Sequence, residues 1–188
     1  VLYPAAYNDY GLGVAATDRN DNRATFSNNG KAVDCAAPGV DIYSTLPTYD
    51  TTLSLFGYSK NYDSLTGTSM ATPHVAGLAG LILAKNSSNF AMTNGEVMGQ
   101  IRFTAEDINS STYSGDDNFI GDGRINAYLA LTTSGSPRII FDRSIIDDST
   151  TISSANDGDG IIEPGEQIKL TVYLKNEWIN ATSVTGTL

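Results

Sequence analysis

The chain has 188 residues, of which 40% are hydrophobic and 17% are charged, an ordinary composition for a globular protein of one or two domains. Its formal net charge of −10 argues against nucleic acids and membranes as partners, because anionic phosphates repel an acidic surface, whereas it suits cation binding. The single cysteine excludes an intrachain disulfide, and no apolar run reaches the roughly 18 residues that cross a bilayer.

Two short apolar segments near the start of the chain predict buried strands. They cover residues 13–17 and 33–36 and are bounded by Asp, Asn and Gly turns. Cys35 lies in the second segment, where we expect it to pack as a small hydrophobe; a nucleophilic thiol would need a nearby base. The polar, tyrosine-rich stretch 45–65 predicts a connecting loop, which either borders a peptide cleft or covers the edge of the core.

Ser69 is the residue best suited to chemistry. Gly67 and Thr68 precede it and leave room for a peptide backbone, and the helical run 70–85 follows, with Pro73 in its first turn. Ser69 is therefore predicted at the positive end of a helix, where free backbone N–H groups can bind an anion. A nucleophilic serine requires such donors, together with a base to take its proton, so the pattern favours acyl transfer.

Two further helices are predicted before residue 132. Thr93 stands three residues before Glu96, as in a capping box, and this spacing predicts a helix over 94–105. The glycine-rich stretch 115–123 predicts a loop, and the apolar spacing after it predicts a closing helix over 125–131.

The composition changes after a linker of small residues at 133–137. Residues 1–132 form one predicted domain, and 138–188 form the beginning of a second. Alternating apolar and polar residues predict an antiparallel β-sandwich segment that is cut short, with strands at 139–141, 145–146, 167–174 and 181–188. The unpaired edges of such a segment predict self-association.

Between those strands, the acidic and glycine-rich segment 156–166 offers the ligand types of a structural Ca²⁺ site. Hard cations take about six to eight oxygen ligands from flexible loops, and the carboxylates available here are Asp157, Asp159, Glu163 and Glu166. The alternative is a solvated turn that is rich in Asp and Gly and binds no metal.

Several segments, taken in order, resemble the subtilisin-like serine proteases, the subtilases of peptidase family S8. The run 67–77 is similar to their serine motif, and four more segments occur in the family's order: Tyr3-Pro4-Ala5, 23–30, 37–40 and 121–127. The resemblance covers residues 1–132 and implies part of an α/β three-layer sandwich with a mostly parallel sheet, many of whose strands precede this chain. It also implies a secreted or cell-surface serine endopeptidase that acts on polypeptides and needs no cofactor for its chemistry.

The resemblance makes Ser69 the nucleophile, with Gly67 and Thr68 beside the oxyanion and the substrate. It places the Asp and His of the triad, and the oxyanion-hole Asn, before Tyr3. The single histidine, His74, follows Ser69 on the same helix at about 140° around the axis, and we expect it to be structural. The chain alone is therefore expected to be inactive. The alternative is a non-catalytic fragment that acts only through self-association or calcium-dependent packing.

The resemblance implies a second cation site as well. Members of the family often hold a weaker cation with backbone carbonyls after the Tyr-Pro-Ala segment and with a carboxylate before Ala-Pro-Gly. These positions correspond to Ala5, Tyr7 and Asp34 in this chain. The alternative is that Asp34 caps a turn.

Overall fold

In a computed structural model, the chain divides into two units, Val1–Ser136 and Pro137–Leu188. The structure describes residues 5–6, 11–86, 92–133, 139–149, 152–153, 156–159, 161–162, 164–165 and 167–176. Several predicted features lie outside the described residues, namely Tyr7, Glu163, Glu166, linker residues 134–137 and the strand 181–188.

A parallel pair of short strands forms the centre of the first unit. β1 (Val14–Thr17) pairs with β2 (Cys35–Pro38), as expected for the α/β class, and the two predicted strands are confirmed within two residues. A later segment extends the pair on the β2 side, because the Ala36 N–H donates to Gly123 O at 2.8 Å and the Ile125 N–H donates to Ala36 O at 2.9 Å.

One long helix covers this strand pair. α2 (Thr68–Asn86) contains the predicted run 70–85 and begins two residues earlier. Its buried side chains recur at helical spacing and are Ala71, Val75, Leu78 and Ile82. They pack with the small residues Ala16, Cys35 and Ala37 of the strands, so the helix can approach the sheet closely. In the described part of the chain, no helix is long and apolar enough to cross a membrane.

The expectation for Cys35 is confirmed. Its side chain has no exposed surface, and burial raises the pKa of the thiol to about 12. A thiolate is the reactive form of cysteine, and at neutral pH this residue is a protonated packing group.

The two predicted later helices are present, and side chains cap both. α3 (Asn94–Phe103) begins with the predicted capping box, in which the Thr93 N–H donates to Glu96 Oε2 at 2.7 Å and the Glu96 N–H donates to Thr93 Oγ1 at 3.2 Å. α4 (Ala127–Thr132) begins after Asn126, whose side chain accepts from the Leu129 N–H at 2.9 Å.

The prediction of a connecting loop over 45–65 is confirmed for residues 46–51 and 56–61, but it misses the short helix between them and the strands on either side. β3 (Ile42–Thr45) and β4 (Tyr62–Leu65) pair as an antiparallel hairpin whose tip carries the short helix α1 (Thr52–Leu55). The rings of Tyr43 and Tyr62 stack at 5.8 Å. Such cross-strand aromatic contacts stabilise a hairpin despite its polar composition, and single-sequence patterns do not reveal them.

The second unit contains an antiparallel pair of strands. β5 (Ile139–Asp147) pairs with β6 (Lys169–Asn176), with an irregularity between Phe141 and Arg143 and with Ile146 opposite Leu170. The apolar side chains of β6 are more than a third exposed in the described structure, at 44% for Leu170 and 53% for Leu174. The predicted antiparallel strands are thus confirmed for β5 and β6, and the larger β-sandwich stays a prediction.

The loop after α3 returns to the start of β2 through a close backbone contact of Gly121 with Asp34. Gly121 has a φ of 63°, and a Cβ at this position would overlap the backbone carbonyl of Asp34. Gly115 in the same loop also has a positive φ of 77°, but no atom of the described residues lies within 4 Å of its Cβ position. The two glycines separate the effect of backbone strain from that of close packing.

We expect Gly121→Ala to destabilise the protein more than Gly115→Ala does. The Gly115 change introduces only the left-handed backbone strain of an L residue, about 1 kcal/mol, whereas the Gly121 change adds about 1–3 kcal/mol of steric displacement. Urea unfolding followed by far-UV circular dichroism measures both. Equal free energies of unfolding for the two variants would contradict the packing of this loop on Asp34.

Candidate active site

Ser69 lies in the first turn of α2, as the sequence predicts. Its side chain is exposed, and its hydroxyl makes no hydrogen bond with any described residue. In the same described part of the chain, the backbone N–H groups of Thr68 and Ser69 have no acceptor, whereas those of Met70 and Ala71 donate to Gly67 O. Two donors are thus available beside the hydroxyl at the positive end of a helix.

The turn that carries Ser69 is hydrogen-bonded to the carboxyl ends of β1 and β2. The Gly39 N–H donates to Thr17 O at 2.9 Å, and the Gly67 N–H donates to Gly39 O at 2.8 Å. A Cβ on Gly39 would lie 2.6 Å from Ala16 Cβ and 2.8 Å from Gly67 O. Glycine at this position therefore allows the turn before Ser69 to lie directly on the end of the sheet, where α/β proteins commonly bind ligands.

A groove of about 370 Å³ lies beside Ser69. Its lining residues are 42–45 of β3 and the following Leu46, Asp63 and Leu65 of β4, and Ser69, Met70, Pro73 and His74 of α2. The hairpin that the sequence did not predict therefore forms part of this groove. A polypeptide chain that enters the groove comes next to the Ser69 hydroxyl.

His74 lines the groove, but it is not hydrogen-bonded to Ser69. Its Nδ1 lies 2.9 Å from the carbonyl oxygen of Met70, one turn earlier, so a proton on Nδ1 is donated to the backbone. No base among the described residues forms a hydrogen bond with the Ser69 hydroxyl. The geometry agrees with the expectation that His74 is structural.

Asp63 places a negative charge in the groove. Its carboxylate accepts two hydrogen bonds of 2.7 Å, one from the Ser59 N–H and one from the Ser64 N–H. These backbone donors lower the pKa of Asp63, so the side chain is ionised at neutral pH. Sequence reasoning missed this residue because its position in the groove depends on the pairing of β3 with β4.

Asp34, predicted as a cation ligand, already has protein partners on both carboxylate oxygens. It is 3% exposed, it accepts from the Gly13 N–H at 2.7 Å, and its other oxygen lies 3.4 Å from the Arg102 guanidinium. Burial raises its pKa, while the Gly13 N–H and Arg102 act in the opposite direction. Arg102 also pairs with Asp122. Ala5, the other predicted ligand among the described residues, is exposed. A cation site that involves Asp34 and Ala5 stays a prediction.

In the second unit, Asp157 and Asp159 lie close to a third carboxylate. Oxygens of Asp148, Asp157 and Asp159 all lie within 4.8 Å of one another. Asn156 holds the loop in place by donating to Gln167 O at 2.6 Å. Sequence reasoning missed Asp148, whose only signal is its place directly after β5.

Comparisons with known proteins agree with the sequence motifs. Residues 1–123 match the sequence model of the subtilase family, Peptidase_S8. The chain is 43% identical over 129 residues to thermitase of Thermoactinomyces vulgaris, a match that covers 69% of this chain and 38% of thermitase. It is 40% identical over 130 residues to subtilisin BL of Lederbergia lenta, covering 69% of this chain and 40% of that protein.

The fold agrees too. The crystal structure of a lanthipeptide protease superimposes with a TM-score of 0.60 at 26% identity, covering 69% of this chain and 44% of that chain. The chain thus spans about two fifths of the curated relatives named here, at 38% and 40% of their lengths. With the family model matched over residues 1–123, the chain belongs to the subtilase family.

Proposed function

We propose that Ser69 is the nucleophile of a serine endopeptidase. The observation that carries this proposal is the free Ser69 hydroxyl beside two unpaired backbone N–H groups, all within the described start of α2 and next to a groove. The family assignment and the relatives named as proteases support it.

In the proposed reaction, the Ser69 hydroxyl attacks the carbonyl carbon of a peptide bond held in the groove. A base takes the hydroxyl proton, and the Ser69 N–H, helped by that of Thr68, donates to the developing oxyanion. The base then protonates the leaving amine, and water releases the acyl group from Ser69. Gly67 leaves space for the substrate backbone, and no step needs a metal ion.

The base is proposed to lie outside these 188 residues. Within the described residues, Ser69 has no hydrogen-bonded base, and the single histidine is bound to the Met70 carbonyl. The family resemblance implies that a preceding segment would supply the Asp, the His and the oxyanion-hole Asn. Without them we expect activity several orders of magnitude below that of an intact protease. A secreted location follows from the same resemblance.

A fluorophosphonate probe tests the role of Ser69. We expect no labelling of the 188-residue chain alone, because the hydroxyl is not deprotonated, and labelling of Ser69 when a segment carrying the Asp and His is added. The segment is tested both as the protein's own upstream sequence and as the corresponding part of thermitase. Ser69→Ala should abolish the label, and Ser44→Ala, a change in the same groove, should leave it.

Two results of this experiment would contradict the proposal. Labelling of the chain alone at the rate of an intact protease would show that a base is present within it. Absence of labelling under every condition would instead favour the non-catalytic alternative.

That alternative is self-association, and the surface of α2 favours it. Leu81 and Leu83 on this helix are 52% and 46% exposed, next to a face of small residues that includes Gly77 and Gly80. Contact between two copies would remove this apolar surface from water. We propose that the isolated chain associates through the exposed face of α2.

Sedimentation velocity tests this interface. Leu81→Lys should shift the chain towards monomer by about tenfold in dissociation constant, because a lysine ammonium would be desolvated at the contact. Leu55→Lys, at the 86% exposed tip of the hairpin, is the matched control and should leave the distribution unchanged. A compact monomer for the unmodified chain at high concentration would contradict the proposal.

We also propose a structural Ca²⁺ at Asp148, Asp157 and Asp159. Three convergent carboxylates are a suitable donor set for a hard cation, although backbone N–H groups already bind an oxygen of Asp157 and one of Asp159. The ion would stabilise the loop between β5 and β6.

Isothermal titration with Ca²⁺ tests this site. Asp159→Asn removes one negative ligand and should weaken binding at least about tenfold. Asp147→Asn, which changes the same charge at the end of β5 outside this cluster, should bind as the unmodified chain does. Identical titrations for all three proteins, or no heat of binding, would favour the solvated turn.

A further inference from the structure

Asp63 and Ser69 line the same groove, and no cationic side chain of the described residues pairs with this carboxylate. Among the described residues that line the groove, Asp63 is the one acidic residue, and none of them is a Lys or an Arg. No Lys or Arg side chain of the described residues lies within ion-pair distance of it. The nearest lysine in sequence, Lys60, instead pairs with Asp50 at 2.8 Å.

The carboxylate is also held in place. The Ser59 and Ser64 N–H groups bind its two oxygens, one each, and so fix the orientation of the side chain on β4. Asp63 is partly accessible to solvent, so a ligand in the groove can reach its carboxylate. An oriented, unpaired anion in a groove is suited to bind a cation brought by a ligand.

The apolar lining of the groove suits the stem of such a ligand. Ile42, Leu65 and Met70 line it together with Asp63, and the register of the hairpin places Ile42 and Leu65 on the same face as Asp63. Lysine and arginine have a methylene stem that packs on apolar surface and a charged head that can reach a carboxylate. Glutamate or aspartate would instead be repelled by Asp63.

We propose that Asp63 is a specificity-determining residue, which makes the groove select polypeptides with a Lys or Arg side chain close to the bond that Ser69 cleaves. This inference rests on the proposed endopeptidase function for the cleavage step, whereas the selection itself is a property of the groove. The charge difference should favour Lys over an uncharged residue of the same length by about threefold to tenfold at low salt.

Peptide binding to the 188-residue chain measures the selection without catalysis. Three peptides identical except for one central Lys, norleucine or Glu are titrated by NMR at low and at high salt, with amide shifts of residues 62–66 as the readout. We expect the order Lys, norleucine, Glu in affinity, and we expect added salt to reduce the differences.

Two variants test the negative charge of Asp63, one by removing it and one by neutralising it, and a third variant is the control. Asp63→Asn removes it directly but alters an acceptor of the Ser59 and Ser64 N–H groups. Ser44→Lys keeps both hydrogen bonds and places an ammonium directly across the strand pair from Asp63. Both should make Lys and norleucine peptides bind equally, within about twofold. Asp50→Asn, the same charge change on the same hairpin but outside the groove, should retain the preference for Lys.

The outcomes separate this inference from the proposed function. Suppose that Ser69 is labelled after complementation but the Lys preference is absent, or survives both Asp63→Asn and Ser44→Lys. The proposed role of Asp63 in specificity is then contradicted, and the endopeptidase proposal is retained. If the Lys preference depends on Asp63 but Ser69 is never labelled, the groove binds basic segments and the endopeptidase proposal falls.

Discussion

The hydrogen bond from the Gly67 N–H to the Gly39 carbonyl joins the turn before Ser69 to the central strands. It attaches the start of α2 to the end of β2, and the adjacent Gly39 N–H continues the connection to Thr17 at the end of β1. Because Gly39 lacks a Cβ, the turn before Ser69 can lie on the strand ends. The position of Ser69 is thus set by the sheet, and the start of the long helix supplies the free N–H groups beside its hydroxyl.

Charged residues have two different roles in the first unit. Asp34 and Asp122 are paired with Arg102, and Asp21 and Glu106 with Arg124, so these carboxylates hold distant loops together. Asp63 has backbone donors but no cation within ion-pair distance among the described residues. A carboxylate that pairs with an arginine therefore stabilises the fold. A carboxylate without such a partner is available to a ligand.

Features encoded by neighbouring residues were predicted correctly. The helix after Ser69, the capping box at Thr93 and the buried Cys35 each depend on a few consecutive positions, and the structure agrees with all three. The β3–β4 hairpin was predicted as a loop because its stability comes from cross-strand contacts such as Tyr43 with Tyr62. Asp148 was missed for a similar reason, since it joins Asp157 only through the return of the chain.

The sequence by itself determined the family motifs and the place of Ser69 at a helix start, because helix signals and small-residue turns are local. Only the tertiary structure decided which groups share the groove with Ser69. Asp63 lies beside the groove because β4 pairs with β3 and is followed at once by α2. Strand register and helix packing bring residues together by contacts that no single segment specifies.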